Sequence, residues 1–214
     1  MTRLKNQTSI LREDAQPNIF VIGVGWVGSM TSLVLAKMWL KNITIIDWDE
    51  VEDHNVASQF YKESQLNKSK VESLAENILE FTWVEVKAIY GRWDKDTKID
   101  ADIVILAVDN MDVRKDVVDY YKDSLETIVI ETRMWWVEYM IQTFYPMADY
   151  YAWLATWFPQ SEADPVICTE KAICFNTAII AGKIWELVSN IIMTRPYQFI
   201  TTNMFTPSNE NGDV

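Results

Sequence analysis

The chain has 214 residues, of which 49% are hydrophobic and 23% charged, which is enough to bury the core of one domain. Its net charge of −12 argues against binding DNA or an anionic membrane through general electrostatics. The only cysteines, Cys168 and Cys174, are too few for a disulfide scaffold or a four-cysteine zinc site. Because neither a signal peptide nor an uninterrupted apolar run of ~18 residues is found, we expect a cytoplasmic protein without a membrane partner.

The first half of the chain predicts a βαβ unit followed by further strands and helices. "NIFVIGVG" indicates a buried strand, "WVGSMTSLVLAKMWL" has helical apolar spacing, and "NITIIDWDE" is a β-branched strand that ends in acidic residues. This order implies a parallel sheet with a right-handed crossover. The later segments predict helices at "SKVESLAENILEF" and "MDVRKDVVDYYKDS" and strands at "VEVKAIY", "ADIVILAVDN" and "ETIVIET".

The pattern changes near Met134. "VEYMIQTFYP" alternates like an antiparallel strand, so we expect a mixed, mainly parallel sheet, and "TEKAICFNTAIIAGKIWELVSNIIM" predicts a long helix across the core. The residues after Pro196 are rich in turn-forming types and are expected to be frayed. We therefore divide the chain into an N-terminal segment (1–16), one nucleotide-binding domain (17–195) and a C-terminal tail (196–214).

A glycine-rich loop follows the first predicted strand. Gly23, Gly25 and Gly28 keep the G-x-G-x-x-G spacing, which allows a tight turn and lets a pyrophosphate approach the helix N-terminus. Asp47, at the end of the second strand, is placed to bind ribose hydroxyls, with Asp49 two residues later. These residues predict an adenine nucleotide and leave both NAD and ATP open.

Three further stretches resemble the ThiF/MoeB/HesA superfamily, which includes the ubiquitin-activating enzymes. They are "DWDEVEDHNVASQFY", "LNKSKVESLAENI" and "AVDNMDVR", and with the glycine loop they form four motifs in the family's order. The resemblance covers residues 17–195, nearly the whole chain. It implies a Rossmann-like, three-layer α/β fold with a mixed, mainly parallel sheet.

The same resemblance implies an adenylyltransferase that uses ATP and Mg²⁺. In such enzymes a C-terminal carboxylate attacks the α-phosphate and releases pyrophosphate. Asp47 would hold the ribose, Asn55 and Lys70 would contact the triphosphate, and Asp109 would hold Mg²⁺ with Asn110 supporting its loop. A lysine suits phosphate charge and a carboxylate suits Mg²⁺. Each has a plainer alternative, since Asn55 can shape a turn, Lys70 can be a solvated helix residue, and Asp109 and Asn110 can cap a helix.

Several departures from the family pattern are visible. Many relatives carry an arginine where this chain has Ser58 in "NVASQ", although Gln59 remains as a nucleotide-binding candidate. A second arginine, supplied across a dimer in some relatives, has no clear match beyond Arg3 or Arg12. The family's paired C-x-x-C motifs are absent, so we predict no structural zinc. Cys168 lies where some relatives carry a reactive thiol, but it is equally a small structural cysteine, because nothing near it in sequence activates a thiolate.

Tryptophan is unusually frequent and glycine unusually rare. The chain has 10 Trp and 6 Gly, whereas a chain of this length ordinarily has roughly 15 glycines. Trp26 stands on a glycine of the family loop, and others stand where a turn or helix end favours glycine: Trp39, Trp48, Trp83, Trp135 and Trp136. Either these codons are UGA, which some bacteria read as glycine, or the chain is a genuine tryptophan-rich variant whose indole reshapes the nucleotide site.

The combined prediction is a cytoplasmic adenylyltransferase that forms a homodimer and activates a small ubiquitin-like or sulfur-carrier protein. Asn55, Lys70, Asp109 and Cys168 are the catalytic candidates, and Trp26 joins the nucleotide-binding set by position. An NAD(P)-dependent oxidoreductase explains the glycines and Asp47 but not Lys70 or Asp109. A degenerate ATP-binding module is the third interpretation.

Overall fold

The computed structural model describes residue 12 and residues 14–97, 99–135, 138–163 and 174–203. Its centre is one seven-stranded sheet with the strand order β3-β2-β1-β4-β5-β6-β7. The strands are β1 (Ile19–Ile22), β2 (Ile43–Asp47), β3 (Lys87–Tyr90), β4 (Ile103–Leu106), β5 (Ile128–Trp135), β6 (Glu138–Phe144) and β7 (Ile200–Asn203).

The five strands β3, β2, β1, β4 and β5, which are neighbours in this order, are parallel. The pairings of β5 with β6 and of β6 with β7 are antiparallel. β1 pairs with β2 on one side and with β4 on the other, and all four residues of β1 and of β4 are buried. Continuous apolar strands of this kind are typical of a parallel sheet covered on both faces. The predicted mixed, mainly parallel sheet is therefore confirmed, including the antiparallel strand β6.

Helices cover both faces of the sheet and complete a three-layer fold. The helices are α1 (Trp26–Lys37), α2 (Asp53–Val56), α3 (Lys70–Thr82), α4 (Met111–Tyr121), α5 (Pro146–Leu154) and α6 (Cys174–Ile192). One apolar cluster lies under α1, α3 and α6, and the other under α4 and α5. No helix within the described ranges is long and apolar enough to cross a membrane.

Two parts of the second half differ from the sequence prediction. The prediction that the chain is frayed after Pro196 was wrong for Ile200–Asn203. These residues form the edge strand β7, which pairs with β6. Helix α5 was not predicted at all, although its Trp153 is fully buried and stacks on Phe144. Both elements depend on contacts with β6, which local sequence patterns do not reveal.

Candidate active site

The candidate motifs meet at the carboxyl ends of the central strands. The glycine loop follows β1, Asp47 ends β2, and Asp109 follows β4, and these three strands are neighbours in the sheet. The chain continues from β1 to β2 in one direction, whereas β4 lies on the other side of β1. Ligands of open α/β sheets bind at such a switch point, outside the carboxyl ends of the strands.

The glycines of the loop have different roles. Gly23 has a φ of +87°, and a Cβ there would lie 2.8 Å from the carbonyl oxygen of Ala107. A Cβ on Gly28 would lie 1.9 Å from the carbonyl oxygen of Gly23. A Cβ on Gly25 would meet nothing within 4 Å. The protein's own packing therefore requires Gly23 and Gly28, whereas Gly25 borders open space in which a ligand can approach the backbone.

Asp47 fixes the glycine loop to the end of β2. Its Oδ2 accepts a hydrogen bond from the Val24 N–H at 2.8 Å, and its Oδ1 accepts one from the Asp49 N–H at 2.9 Å. The Tyr61 hydroxyl donates to the Val24 carbonyl oxygen at 2.6 Å. Burial, reinforced by the charges of Asp47 and Asp49, raises the pKa of Tyr61 well above its ordinary value. The sequence analysis missed Tyr61, which lies 37 residues from its partner.

Lys70 pairs with Asp49 beside this loop. Its Nζ lies 3.0 Å from Asp49 Oδ2, and its side chain is 8% exposed while that of Asp49 is 41% exposed. Lys70 is the first residue of α3, and Ser69 caps that helix by accepting a hydrogen bond from the Glu72 N–H. The ammonium group is thus held near the sheet edge by a partner that water reaches.

Asn55 and Gln59 lie in the segment between β2 and α3. The Asn55 side chain accepts a hydrogen bond from the Glu52 N–H in a capping box of α2, so the turn-forming role is present. The Gln59 side-chain oxygen and the Ser58 hydroxyl are buried without a hydrogen-bond partner. Buried polar atoms are usually paired, so these two groups stand out in the segment where a nucleotide contact is predicted.

Asp109 and Asn110 connect β4 to α4. Asn110 is the N-cap of α4 and accepts hydrogen bonds from the N–H groups of Asp112 and Val113, so the capping alternative is confirmed for this residue. Asp109 is exposed. Within the described residues no group of three or more His, Cys, Asp or Glu side chains gathers to hold a metal ion. A single exposed carboxylate fits Mg²⁺ that is bound mainly through nucleotide phosphates.

A buried charge network supports the loop that carries Asp109. Arg114 and Arg133 both donate to Glu131 Oε1 at 2.8 Å, and Arg114 also donates to the carbonyl oxygen of Val108. All three charged side chains are at most 6% exposed. Burial lowers the pKa of Arg114, and the Glu131 carboxylate opposes that shift. Arg114 belongs to the "AVDNMDVR" motif, but no local pattern predicts that Glu131 and the Val108 carbonyl oxygen are its partners.

Tryptophans border the same region. Trp26 is the first residue of α1, and its indole N–H is buried without a hydrogen-bond partner. Trp48, between Asp47 and Asp49, is 52% exposed, and the Arg92 guanidinium lies 4.1 Å from its ring centroid. The indoles thus lie beside the residues that are predicted to bind the nucleotide.

The structure describes only some of the remaining candidates. Cys168 and Arg3 lie outside the described residues, and for Cys174 only the backbone at the start of α6 is described. Arg12 forms an exposed ion pair with Asp14. A separate depression of about 240 Å³ lies at the opposite, amino-terminal edge of the strands, and its lining contains none of the predicted site residues.

Comparison with known sequences supports one family. A model of the ThiF family matches residues 8–213. The chain is 33% identical over 79 residues to ubiquitin-like modifier-activating enzyme 5 of Aedes aegypti, which covers 37% of this chain and 20% of that protein. It is 32% identical over 103 residues to adenylyltransferase and sulfurtransferase MOCS3 of Culex quinquefasciatus. This match covers 45% of this chain and 24% of that protein. The matched segments thus span about a quarter or less of these relatives.

Solved structures share the fold at low sequence identity. PaaA superposes with a TM-score of 0.68 and 18% identity over 88% of this chain and 61% of that one. E. coli MccB with ATP superposes with a TM-score of 0.68 and 16% sequence identity, over 92% of this chain and 65% of that one. E. coli MccB with MccA superposes with a TM-score of 0.70 and 18% identity, over 95% of this chain and 67% of that one. These similarities establish the three-layer fold.

Proposed function

The chain belongs to the ThiF family, and on that premise we propose that it is an ATP-dependent adenylyltransferase. The carboxylate at the C-terminus of a small ubiquitin-like or sulfur-carrier protein attacks the α-phosphorus of ATP. The new bond joins the carboxylate oxygen to the α-phosphorus, the bond from that phosphorus to the bridging oxygen breaks, and pyrophosphate leaves. Relatives named for ubiquitin-like modifier activation and for adenylyl transfer support this reaction class.

The observation that carries the proposal is the meeting of four motifs at one sheet edge. Gly25 borders open space, Lys70 supplies a cation, and Asp109 presents an exposed carboxylate, and all follow the carboxyl ends of adjacent strands. A nicotinamide cofactor needs the glycine loop and Asp47 but has no triphosphate that would require Lys70 and Mg²⁺. The residues present therefore suit ATP better than NAD.

Each residue has a role that its surroundings allow. The ammonium of Lys70 exchanges the half-exposed Asp49 for a phosphate oxygen, which neutralises charge that develops as pyrophosphate leaves. Asp109 would hold Mg²⁺, and the ion would offset the negative charge of the phosphates. Asn55 and Gln59 supply amide groups beside the triphosphate. Positioning and electrostatics carry most of the catalysis, because the protein forms no covalent bond in this step.

Other parts of the proposal concern the assembled protein. We expect the protein to be cytoplasmic and to form a homodimer, and sedimentation tests the dimer.

Cys168 is the candidate thiol if the adenylate is passed on to form a thioester with the enzyme. Cys168→Ser leaves adenylate formation unchanged, because that step does not use the thiol. A loss of pyrophosphate release in this variant would contradict the assignment.

Ligand-dependent thermal stability tests the nucleotide. Mg·ATP raises the Tm of the native protein, whereas NAD(H) leaves it unchanged, because only a ligand that binds the folded state stabilises it. Lys70→Met keeps the length of the side chain but removes its charge, and it reduces the shift caused by Mg·ATP. Lys68→Met, at an exposed position two residues away, is the matched control and keeps the full shift. A shift with NAD(H) alone would overturn the proposal in favour of an oxidoreductase.

Pyrophosphate release tests the reaction. A neighbouring gene for a small protein that ends in Gly-Gly would supply the acceptor for this test. Release of pyrophosphate requires the acceptor and stops when its C-terminal carboxylate is replaced by an amide. ATP binding without any release in the presence of the acceptor would instead support a degenerate ATP-binding module.

A further inference from the structure

Two tryptophans have a backbone conformation that is typical of glycine. Four non-glycine residues of the described chain have a positive φ: Trp39 (68°), Asn67 (62°), Trp83 (65°) and Thr194 (51°). Asparagine tolerates the left-handed region, but for a bulky side chain such a φ is a genuine outlier. Two of these four positions are nevertheless tryptophan.

Trp39 occupies the glycine position of a Schellman motif. Its N–H donates to the carbonyl oxygen of Ala36 at 2.9 Å, and the Leu40 N–H donates to that of Leu35 at 3.2 Å. These two bonds define the motif at the C-terminus of α1, where the left-handed residue is usually glycine. The sequence analysis predicted a glycine-like helix end at Trp39, and the geometry agrees.

Trp83 occupies the equivalent position after α3. Its N–H donates to the Leu79 carbonyl oxygen at 2.8 Å, which is the single bond of the left-handed cap. The residue is 75% exposed. Neither burial of the ring nor the backbone conformation therefore gives a reason for a tryptophan here.

Trp26 disturbs the loop in a different way. It follows Gly25, which borders open space, and its indole N–H is buried without a hydrogen-bond partner. The indole N–H groups of Trp93, Trp153 and Trp185 are also buried and unpaired, so the argument for glycine at position 26 is its place in the glycine loop. The composition agrees, because the chain has 10 Trp and only 6 Gly.

Other tryptophans have surroundings that fit an indole. The Trp157 N–H donates to the Met111 carbonyl oxygen at 2.8 Å, next to the start of α4. Trp153 is fully buried and stacks on Phe144 with the ring centroids 6.1 Å apart, although its indole N–H has no hydrogen-bond partner. Trp153 and Trp157 are thus used by the packing of the fold, whereas Trp39 and Trp83 stand at helix ends with a glycine-like backbone conformation.

We infer that positions 26, 39 and 83 are glycine in the functioning protein, because its source reads UGA as glycine, and that Trp157 is encoded by UGG. The loop then becomes G-x-G-G-x-G, without an indole beside the phosphate site. At positions 39 and 83 the inference rests on backbone geometry and hydrogen bonding, and at position 26 it rests on the spacing of the glycine loop, so it holds whether or not the proposed reaction is correct.

The gene and the natural protein give the direct test. We expect UGA codons at positions 26, 39 and 83 and a UGG codon at 157. Peptide mass spectrometry of the protein from its own source then shows glycine at the first three positions and tryptophan at 157. UGG codons at 39 and 83, or peptides that contain tryptophan there, would overturn the inference.

Designed variants of the chain as written test the physical argument. Trp83→Gly raises the Tm by about 2 to 4 °C, a shift that corresponds to relief of left-handed strain in a chain of this length. Trp39→Gly gives a smaller rise, because the Trp39 ring also packs against the apolar cluster under α1. Trp83→Ala is the matched control, because it removes the indole but retains a Cβ at positive φ, and it gives no comparable rise. Trp157→Gly lowers the Tm. Equal effects of glycine and alanine at position 83 would contradict the role of backbone conformation.

Position 26 has its own readout. Trp26→Gly strengthens the Tm shift caused by Mg·ATP relative to the chain as written, since the indole no longer competes for the space beside Gly25. If Mg·ATP shifts the Tm of the chain with Trp26, an equal or smaller shift for Trp26→Gly would contradict the inference at this position. If Mg·ATP shifts neither form, the result counts against the proposed function alone, because codons and peptide masses are read without ligand.

Discussion

Two groups of charged residues lie near the same sheet edge, but they differ in their access to water. Lys70 pairs with Asp49, whose side chain is 41% exposed. Glu131 lies between Arg114 and Arg133, and all three side chains are at most 6% exposed. Water reaches the first pair, as the proposed role of Lys70 requires, whereas the second group is shielded from water.

The comparison shows that residue type alone does not identify a functional charge. Arg114 belongs to a sequence motif of the family and would be a reasonable phosphate ligand by type. The structure instead uses it to hold Glu131 and the Val108 carbonyl oxygen, directly before Asp109. Its contribution to the site is to support the loop.

The largest effect on the free energy of unfolding is expected when the buried charged group is broken. Glu131→Gln removes the negative charge between two buried guanidinium groups, and we expect a loss of about 3 to 5 kcal/mol in the free energy of unfolding. Urea denaturation measures it. Glu186→Gln is the matched control, because it breaks the exposed Lys183 pair and costs at most about 1 kcal/mol. Similar losses in the two variants would show that the network is not held by its charges.

The next effect concerns the accessible pair. Lys70→Met lowers the rate of pyrophosphate release by about 10² to 10³-fold, as expected for loss of one preorganised charge at the transition state. Its free energy of unfolding changes by no more than about 1 kcal/mol, because Asp49 remains in contact with water. The two measurements are made on the same preparation. A loss of stability as large as that of Glu131→Gln would make Lys70 a structural residue.

The smallest effect concerns the bond between Tyr61 and the glycine loop. Tyr61→Phe removes one buried hydrogen bond to Val24 and costs about 1 kcal/mol at neutral pH. The pKa of Tyr61 is raised in the folded protein, so its contribution is fully present below the ordinary tyrosine pKa of about 10 and is lost as the pH rises through the folded pKa.

Denaturation at neutral pH and above about pH 10 therefore separates the variant from the parent. The parent loses more stability on alkalinisation than Tyr61→Phe does. Part of the loss remains in the variant, because burial also raises the pKa of Tyr121, to about 12. Parallel pH profiles for the two proteins would show that Tyr61 does not titrate with folding.

The sequence predicted those parts of the site that depend on local patterns. The glycine spacing, the acidic end of β2 and the cap at Asn110 each involve residues that are close in the chain. The partners of these residues were not predictable, because Tyr61 lies 37 residues from Val24 and Gln160 lies 49 residues from Met111. Such contacts exist only once the layers have packed.

The fold was predictable to a similar extent. Apolar, β-branched segments identified the parallel strands, since burial on both faces leaves a continuous apolar run. Strand β7 is short and follows a turn-rich segment, and α5 is rich in aromatic residues that have no strong helical preference. Their places are set by tertiary packing against β6, which overrides local propensity.

The position of β1 in the sheet also affects how the chain is made. On one edge β1 pairs with β2, which follows it closely in sequence. On its other edge β1 pairs with β4, which comes much later in the chain. Beside this second pairing, the Asn18 N–H donates a hydrogen bond to the Asp102 carboxylate, 84 residues away. Pairings at such separation slow folding. A chain emerging from the ribosome therefore has an open, wholly apolar strand edge until β4 has been synthesised, and such edges pair with other chains. We therefore expect the risk of aggregation through the unpaired edge of β1 to fall once β4 has been synthesised and can pair with it.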